Sequence, residues 1–338
     1  MGVVVEDKIL LAHGSGGKLS HDLVAKSFVK ALANPLLNTL DDSAVFELSG
    51  RLAFTTDRYV VSPIFFPGGD IGKLAVCGTV NDLATSGAKP LYLSLSFIIE
   101  EGLSLNELEK VVNSVQKAAG EAGVKIVTGD TKVVTRGSAD KLFINTAGVG
   151  LIPEGVSISG TNAKPGDRVI LSGAIGDHGI AVVSQREGLS FATKLKSDCA
   201  PLGDLVAEML KASPNIHALR DPTRGGLASS LNELAQQSKV SIRIEEREIP
   251  VREAVLAACE MLGFDPLYVA NEGKMIAIVP PEDADKVLKA MRKNKYGRDA
   301  AIIGEVGAEN PGRVVMKTVL GSSRIVDMMV GDLLPRIC

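Results

Sequence analysis

Four aspartates in the first half of the chain, Asp42, Asp57, Asp82 and Asp130, each stand near the end of an expected element or among small residues. Taken singly, an aspartate in such a place is more often a cap or turn residue than a ligand. Were the four to converge, their mutual repulsion would require a cation, and hard carboxylate oxygens select Mg²⁺. Magnesium held in this way usually bridges to phosphates. Lys and Arg are scarce around these aspartates, which fits a metal-bridged nucleotide better than direct neutralisation of phosphate by the protein.

A glycine run, His13-Gly14-Ser15-Gly16-Gly17-Lys18, precedes an amphipathic segment. Glycines before a helix N-terminus let backbone N–H groups approach an anion. The run is not a Walker loop, because Leu19 stands where Ser or Thr would hold magnesium. Alone it reads more often as a flexible turn. Lys132 follows Gly129-Asp130-Thr131, and Asn271-Glu272-Gly273-Lys274 precedes the apolar strand Met275–Val279. Glu272 reads either as a surface turn residue or as a partly buried base whose pKa its surroundings set. Arg220-Asp221-Pro222-Thr223-Arg224-Gly225-Gly226 places a turn and two glycines at a helix start, a second place for a phosphate or adenosine contact. His178 and His217 have no ligand spacing and read as structural.

The chain ends Gly331-Asp332-Leu333-Leu334-Pro335-Arg336-Ile337-Cys338. A terminal cysteine is ordinarily part of a frayed end. Leu333, Leu334 and Ile337 are apolar for an idle tail, and eight extended residues span at most roughly 28 Å, enough to carry a sulfur from one site to another. Prenylation would need three residues beyond the cysteine. The other cysteines, Cys77, Cys199 and Cys259, show no paired spacing. Cys77 and Cys259 lie on apolar helical stripes and read as core.

Positioning these groups requires an α/β framework. Residues 1–12 read as a strand or loose arm. A helix follows with Leu19, Leu23, Val24, Phe28 and Leu32 on one face, then strands Ala44–Leu48 and Leu52–Thr56. Helices are expected over Asp70–Gly87 and Leu103–Ala122, strands over Pro90–Ile99 and Lys141–Leu151. The segment Lys125–Lys132 runs from strand into loop. Turn residues at 153–167 mark a linker. Beyond it, strands at 168–171, 240–245, 274–279, 300–306 and 313–319 alternate with helices, the first opened by Ser172–Gly179 and the others near 202–212, 224–238, 251–262 and 281–293. The reading is two α/β domains with mixed sheets, 1–152 and 153–330, and a flexible tail, 331–338.

At 338 residues the chain can bury two cores. A net charge of −3 argues against a nucleic-acid groove. No apolar run reaches the length of a membrane span. Met1-Gly2-Val3-Val4-Val5-Glu6 becomes charged too early for a secretory signal, and unpaired cysteines fit a reducing cytoplasm.

Six stretches together carry a resemblance: His13–Lys18; Asp41-Asp42-Ser43-Ala44; Val76-Cys77-Gly78-Thr79-Val80-Asn81-Asp82-Leu83-Ala84; Val127-Thr128-Gly129-Asp130-Thr131-Lys132; Asp221–Gly226; and the terminal Pro335-Arg336-Ile337-Cys338. Over essentially its whole length the chain resembles the HypE family of [NiFe]-hydrogenase maturation proteins, within the aminoimidazole ribonucleotide synthetase (PurM) superfamily. The internal stretches indicate the superfamily, and the Cys-ended tail indicates the HypE branch.

The resemblance implies a PurM-like N-terminal domain that dimerises through its sheet, a C-terminal α/β domain, and ATP in the cleft near the dimer interface. It implies ATP-driven dehydration of a carbamoyl group on Cys338 to an S-cyanide, for the cyanide ligands of the hydrogenase iron. HypF would supply the carbamoyl group and a HypC–HypD complex would receive the product. On that reading Asp42, Asp82 and Asp130 carry Mg²⁺, Glu272 is the base, and Lys132 tunes it or contacts oxygen. Gly14, Gly16, Gly17, Lys18, Asp57, Asp221 and Arg224 would contact ATP. Arg336 is the expected cation opposing the terminal carboxylate. A phosphate-activating kinase or synthetase of the same fold is the alternative enzyme. A nucleotide-gated sulfur carrier is the alternative without catalysis.

Overall fold

The computed structural model describes residues 8–189, 195–331 and 334–338. Helices α1 (Lys18–Leu23) and α2 (Lys30–Leu32) are joined without a break by a π-helical stretch, Val24–Val29. Leu23 and Phe28 are buried from this run, with Phe28 stacked on Phe97 at 5.0 Å between ring centroids, whereas Leu19 is exposed. The expected strand Ala44–Leu48 does not form. Phe46 turns back onto the ring of Tyr92, 4.5 Å between centroids, and the segment gains no ladder partner among the described residues.

The first sheet comprises β1 (Arg51–Tyr59), β4 (Lys89–Glu100), β5 (Lys125–Val134) and β6 (Leu142–Ile152); β2 (Phe65–Phe66) and β3 (Gly69–Asp70) form a separate small hairpin. Its order is β1-β6-β4-β5, antiparallel except between β4 and β5. Strand β5 runs on through Asp130, Thr131 and Lys132, which are therefore sheet residues and not a loop. Helix α3 (Ile71–Thr85) is capped by Asp70, whose Oδ1 accepts from the N–H groups of Gly72 and Lys73. It is buried on nearly every side because it lies between this sheet and the second half of the chain. Helix α4 (Leu105–Ala122) buries a single stripe, Leu108, Val111, Val112 and Val115.

The opposite face of the sheet is only partly covered by the described residues, with Phe46 lying against Tyr92. Leu52, Phe54 and Ile98 are exposed there, Phe54 by 73%.

The second sheet has seven strands: β7 (Arg168–Leu171), β8 (Ala218–Arg220), β9 (Ser241–Glu245), β10 (Ile276–Val279), β11 (Ala301–Gly307), β12 (Val314–Lys317) and β13 (Ser323–Ile325). Their order is β13-β12-β9-β11-β7-β10-β8. Five helices accompany them: α5 (Asp177–Arg186), α6 (Gly203–Ala212), α7 (Gly226–Ser238), α8 (Glu253–Leu262) and α9 (Pro281–Lys293). Every residue of β10 is buried, as a strand paired on both edges and covered on both faces must be.

One apolar core spans the two halves and takes in Leu334 and Ile337 of the tail; Cys77, Cys199 and Cys259 are buried in it. Asn81 of α3 also ties the halves together. Its amide donates to the carbonyls of Ala200 and Glu272, and its oxygen accepts from the N–H of Leu202. No described helix is long and apolar enough to cross a membrane.

Candidate active site

The end of β1, the last turn of α3, the turn after β8 and the segment before β10 bring four carboxylates, Asp57, Asp82, Asp221 and Glu272, into one region. Asp82 projects from α3, and the Thr55 hydroxyl of β1 donates to its Oδ2 at 3.0 Å. Burial, with Asp221 and Asp57 nearby, pushes the Asp82 carboxyl up to about 7. Asp221 is raised by burial and by Asp57. Glu272 is 3% exposed and raised well above the usual carboxylate range by burial, then by Cys199, Asp221, Asp198 and Asp57. Like charges this close cannot all ionise without a counter-cation. Asp57 lies within β1, one residue beyond the strand expected from the sequence.

Arg220 and Arg224 are the cations at this cluster. Arg220 pairs with Glu233. Arg224 is raised first by the negative charge at Cys338, and then by Asp57, Glu272 and Asp82. It lines both a cavity of about 640 Å³ that holds Asp82 and Asp221, and a neighbouring hollow of about 410 Å³ that holds Cys338. The two glycines after it are there for backbone reasons. Both have positive φ, and a Cβ at Gly226 would lie 2.5 Å from the Leu267 carbonyl oxygen.

The terminal residues are held in place. The N–H groups of Val60 and Ser62, just beyond β1, donate to a terminal carboxylate oxygen of Cys338 and to the Arg336 carbonyl, each at 3.1 Å. Arg186 of α5 donates to the carbonyls of Arg336 and Ser62. His178 Nε2 donates to the Ile337 carbonyl at 2.8 Å. Leu334 fits against α5 where Gly179 leaves room, since a Cβ there would come within 3.1 Å of Leu334 Cδ1. Asp332 and Leu333 lie outside the described residues. Arg336 does not serve the terminal charge as expected. It reaches the Val60 carbonyl and Asp140 Oδ2, the latter at 2.7 Å, and Arg224 faces Cys338 instead.

The other expected site residues form a second group. Gly14, Gly16, Asp42, Asp130 and Lys132 line a cavity of about 680 Å³ between the first helix and β5. Gly17 caps α1, and Lys18 is exposed outside this lining. Gly14 packs so tightly that a Cβ would meet the Val133 nitrogen at 2.5 Å.

One chain therefore does not assemble Asp42, Asp82 and Asp130 together. No three His, Cys, Asp or Glu side chains among the described residues are placed to hold a metal. The reason is strand order. The register runs Asp130 to Ser96 to Asn145 to Arg58, so β5 and β1 are three strand spacings apart, roughly 14 Å. Lys132 is on β5 with Asp130, and the groups acting most strongly on Glu272 are others. His217 pairs with Asp167, whereas His178, read as structural, also touches the tail. Arg220 opens the expected turn motif, whereas Arg186 and Thr55 carry no motif that would single them out in the sequence.

Comparison with known proteins matches residues 40–152 to the N-terminal domain of the AIR synthase related protein family and 164–317 to its C-terminal domain. Carbamoyl dehydratase HypE of Azotobacter vinelandii is 56% identical, over 97% of this chain and 96% of its own. The protein of the same name from Escherichia coli (strain K12) is 46% identical, over 98% and 100%. A crystal structure of hydrogenase maturation protein HypE in complex with ATP superposes with a TM-score of 0.95 at 52% identity, covering 97% of this chain and 99% of that one. The HypE chain matched in a HypE–HypF complex gives a TM-score of 0.81 at 51% identity, covering 91% and 99%.

Proposed function

The chain belongs to the AIR synthase related family and, within it, to the HypE carbamoyl dehydratases of hydrogenase maturation, and on that premise we propose that Cys338 is the carrier on which its reaction runs. The observation that carries this reading is the docked tail, which sets Cys338 beside Arg224 and the carboxylate cluster. A carbamoyl group supplied by HypF would form an S-carboxamide on the thiol. Its amide oxygen is a poor leaving group, so ATP must first phosphorylate it. The oxygen attacks the γ-phosphorus and ADP leaves. Removal of the two N–H protons with loss of phosphate then yields the S-cyanide. This product, passed to a HypC–HypD complex, would become a cyanide ligand of the hydrogenase iron.

Glu272 is the base in this reading, since its raised pKa makes its ionised form stronger than an ordinary carboxylate. Arg224 holds negative charge at the tail end. Mg²⁺ suits the donors: Asp82 and Asp221 are carboxylates raised first by burial, and Asp57 beside them raises both further. Asp82 would hold it, joined by Asp42 and Asp130 if two chains assemble, and when bound it would spread the charge of the transferred phosphoryl group. Homodimerisation through the partly covered face of the first sheet would cover Leu52, Phe54 and Ile98. It would also allow the cavity beside β1 of one chain to face the cavity of Gly14, Asp42, Asp130 and Lys132 on its partner. In that arrangement Lys132 can contact the reacting oxygen.

The tail is held near balance. Burying Leu334 and Ile337 contributes roughly 3–6 kcal/mol, and its hydrogen bonds about 1 kcal/mol each, against roughly 5–10 kcal/mol for ordering five residues. That suits an arm that visits partners.

Intact mass spectrometry decides the reading. With a carbamoyl donor system the chain should gain one carbamoyl group, and with ATP lose one water from it. Cys338→Ala should bind ATP and gain nothing. Carbamoyl mass on that variant, or phosphate release with no loss of water, would point to another carrier or another synthetase chemistry.

A further inference from the structure

On the far side of the first turn of α5 from the tail lies a cavity of about 890 Å³, larger than the three already described. Its buried floor includes Asp177, Asp198 and Lys274; Lys196 and Arg298 are exposed at its rim. Most of these charges are spoken for. Lys274 Nζ donates to the Gly273 carbonyl and pairs with Asp198, and Asp198 Oδ1 accepts from the N–H of Glu272. Arg252 pairs with Asp177 Oδ2, and Lys295 with Glu121.

Beside the exposed carboxylate of Glu253, two features are left over. Asp177 is buried, with its side chain 5% exposed, yet Oδ1 has no hydrogen-bond partner among the described residues. The side chains of Lys196 and Arg298 enter no ion pair or hydrogen bond among those residues, and they stand on different segments at the open side. A buried acceptor without a donor calls for a ligand that brings one. Two uncommitted cations call for a charge of the opposite sign, and a dianion satisfies both.

We propose that this cavity binds a small phosphate ester bearing hydroxyl groups, a sugar phosphate or a nucleotide. One hydroxyl donates to Asp177 Oδ1, and the phosphate pairs with Lys196 and Arg298. A bare anion is disfavoured by the Asp177 carboxylate on the floor, and a bare cation by a lining of five Lys and Arg against four Asp and Glu. The volume accommodates a ligand of this size. The site shares a wall with the tail's dock: Ser197, in the lining, bonds His178 Nδ1 at 2.8 Å, and His178 Nε2 holds Ile337.

The test is isothermal titration of the full chain with ribose 5-phosphate, AMP and inorganic phosphate, with and without a saturating non-hydrolysable ATP analogue. One ribose 5-phosphate or AMP should bind per chain while the analogue is present, and the tighter of the two identifies the source. Binding should weaken about tenfold or more in Asp177→Asn and in the double variant Lys196→Ala/Arg298→Ala, with analogue affinity unchanged. Absence of binding by both esters, inorganic phosphate binding as tightly as they do, or indifference to both variants overturns the proposal. Failure of the analogue to bind would count against the ATP reading alone, because the titrations without it still decide this site.

Discussion

His178 Nε2 stands 2.8 Å from the carbonyl oxygen of Ile337, so the first turn of α5 holds the residue next to the terminal cysteine. A carbonyl can only accept, which assigns the proton to Nε2. Burial lowers the pKa of this histidine and favours its neutral form, in which Nδ1 accepts from the Ser197 hydroxyl at 2.8 Å. The tail's place beside the carboxylates thus depends on one tautomer of a buried side chain.

Arg186→Met removes the two donors that α5 extends to the carbonyls of Ser62 and Arg336. The loss should favour the undocked tail about tenfold and speed alkylation of Cys338 by iodoacetamide to a similar extent. The other three cysteines are buried, so the label reports the tail. An unchanged rate would show that Arg186 does not hold it.

Asp82→Asn should separate stability from function. The folded-state carboxyl is pushed up to about 7 from an unfolded value of 3.8, so the native chain keeps a proton that the unfolded chain has released. Stability therefore falls as pH rises from about 4 to about 7, and the variant should escape that loss. Without nucleotide or metal it should be more stable than the parent above pH 7, by on the order of 1–3 kcal/mol, with the gain vanishing near pH 4. Its magnesium-dependent ATP affinity should drop. A pH-independent difference in melting temperature would refute the titration of Asp82.

Glu272→Gln keeps the shape of the side chain and removes the base. The carbamoylated variant should accumulate with ATP bound and lose no water. In the parent, the dehydration rate should keep rising above the ordinary carboxylate range, because Glu272 ionises late. A rate already level at pH 5, or normal water loss by the variant, would move the base elsewhere.

Adding one alanine after Cys338 leaves the sulfur's reach unchanged and shifts the terminal carboxylate away from the Val60 N–H that holds it. ATP binding should stay near normal. Dehydration of the carbamoylated tail should fall at least tenfold, since an uncompensated carboxylate beside anionic ATP is costly. Dehydration at the parent rate would mean that the chain end is not recognised.

The alternation of strands and helices, the apolar stripe of α4 and the burial of Cys77 and Cys259 follow from periodicity, and the structure agrees with each. Asp42, Asp57, Asp82 and Asp130 stood out by their contexts, but their division between two cavities did not. That division follows from the order β1-β6-β4-β5, and strand order is a property of long-range pairing with no local signature. Arg336 and Arg224 show the same limit. Nearness in sequence favoured Arg336 as the partner of the terminal charge, and the fold turned it toward Asp140 and brought in Arg224 from 114 positions away. The strand expected at Ala44–Leu48 has no neighbour to pair with among the described residues, which its alternating pattern could not reveal.

The named bonds that retain Arg336, Ile337 and Cys338 at the dock fall chiefly on main-chain carbonyls. Main-chain bonds are common to every state of the cargo, so a receiver that offers donors to the same oxygens competes with the dock for the arm in each of those states.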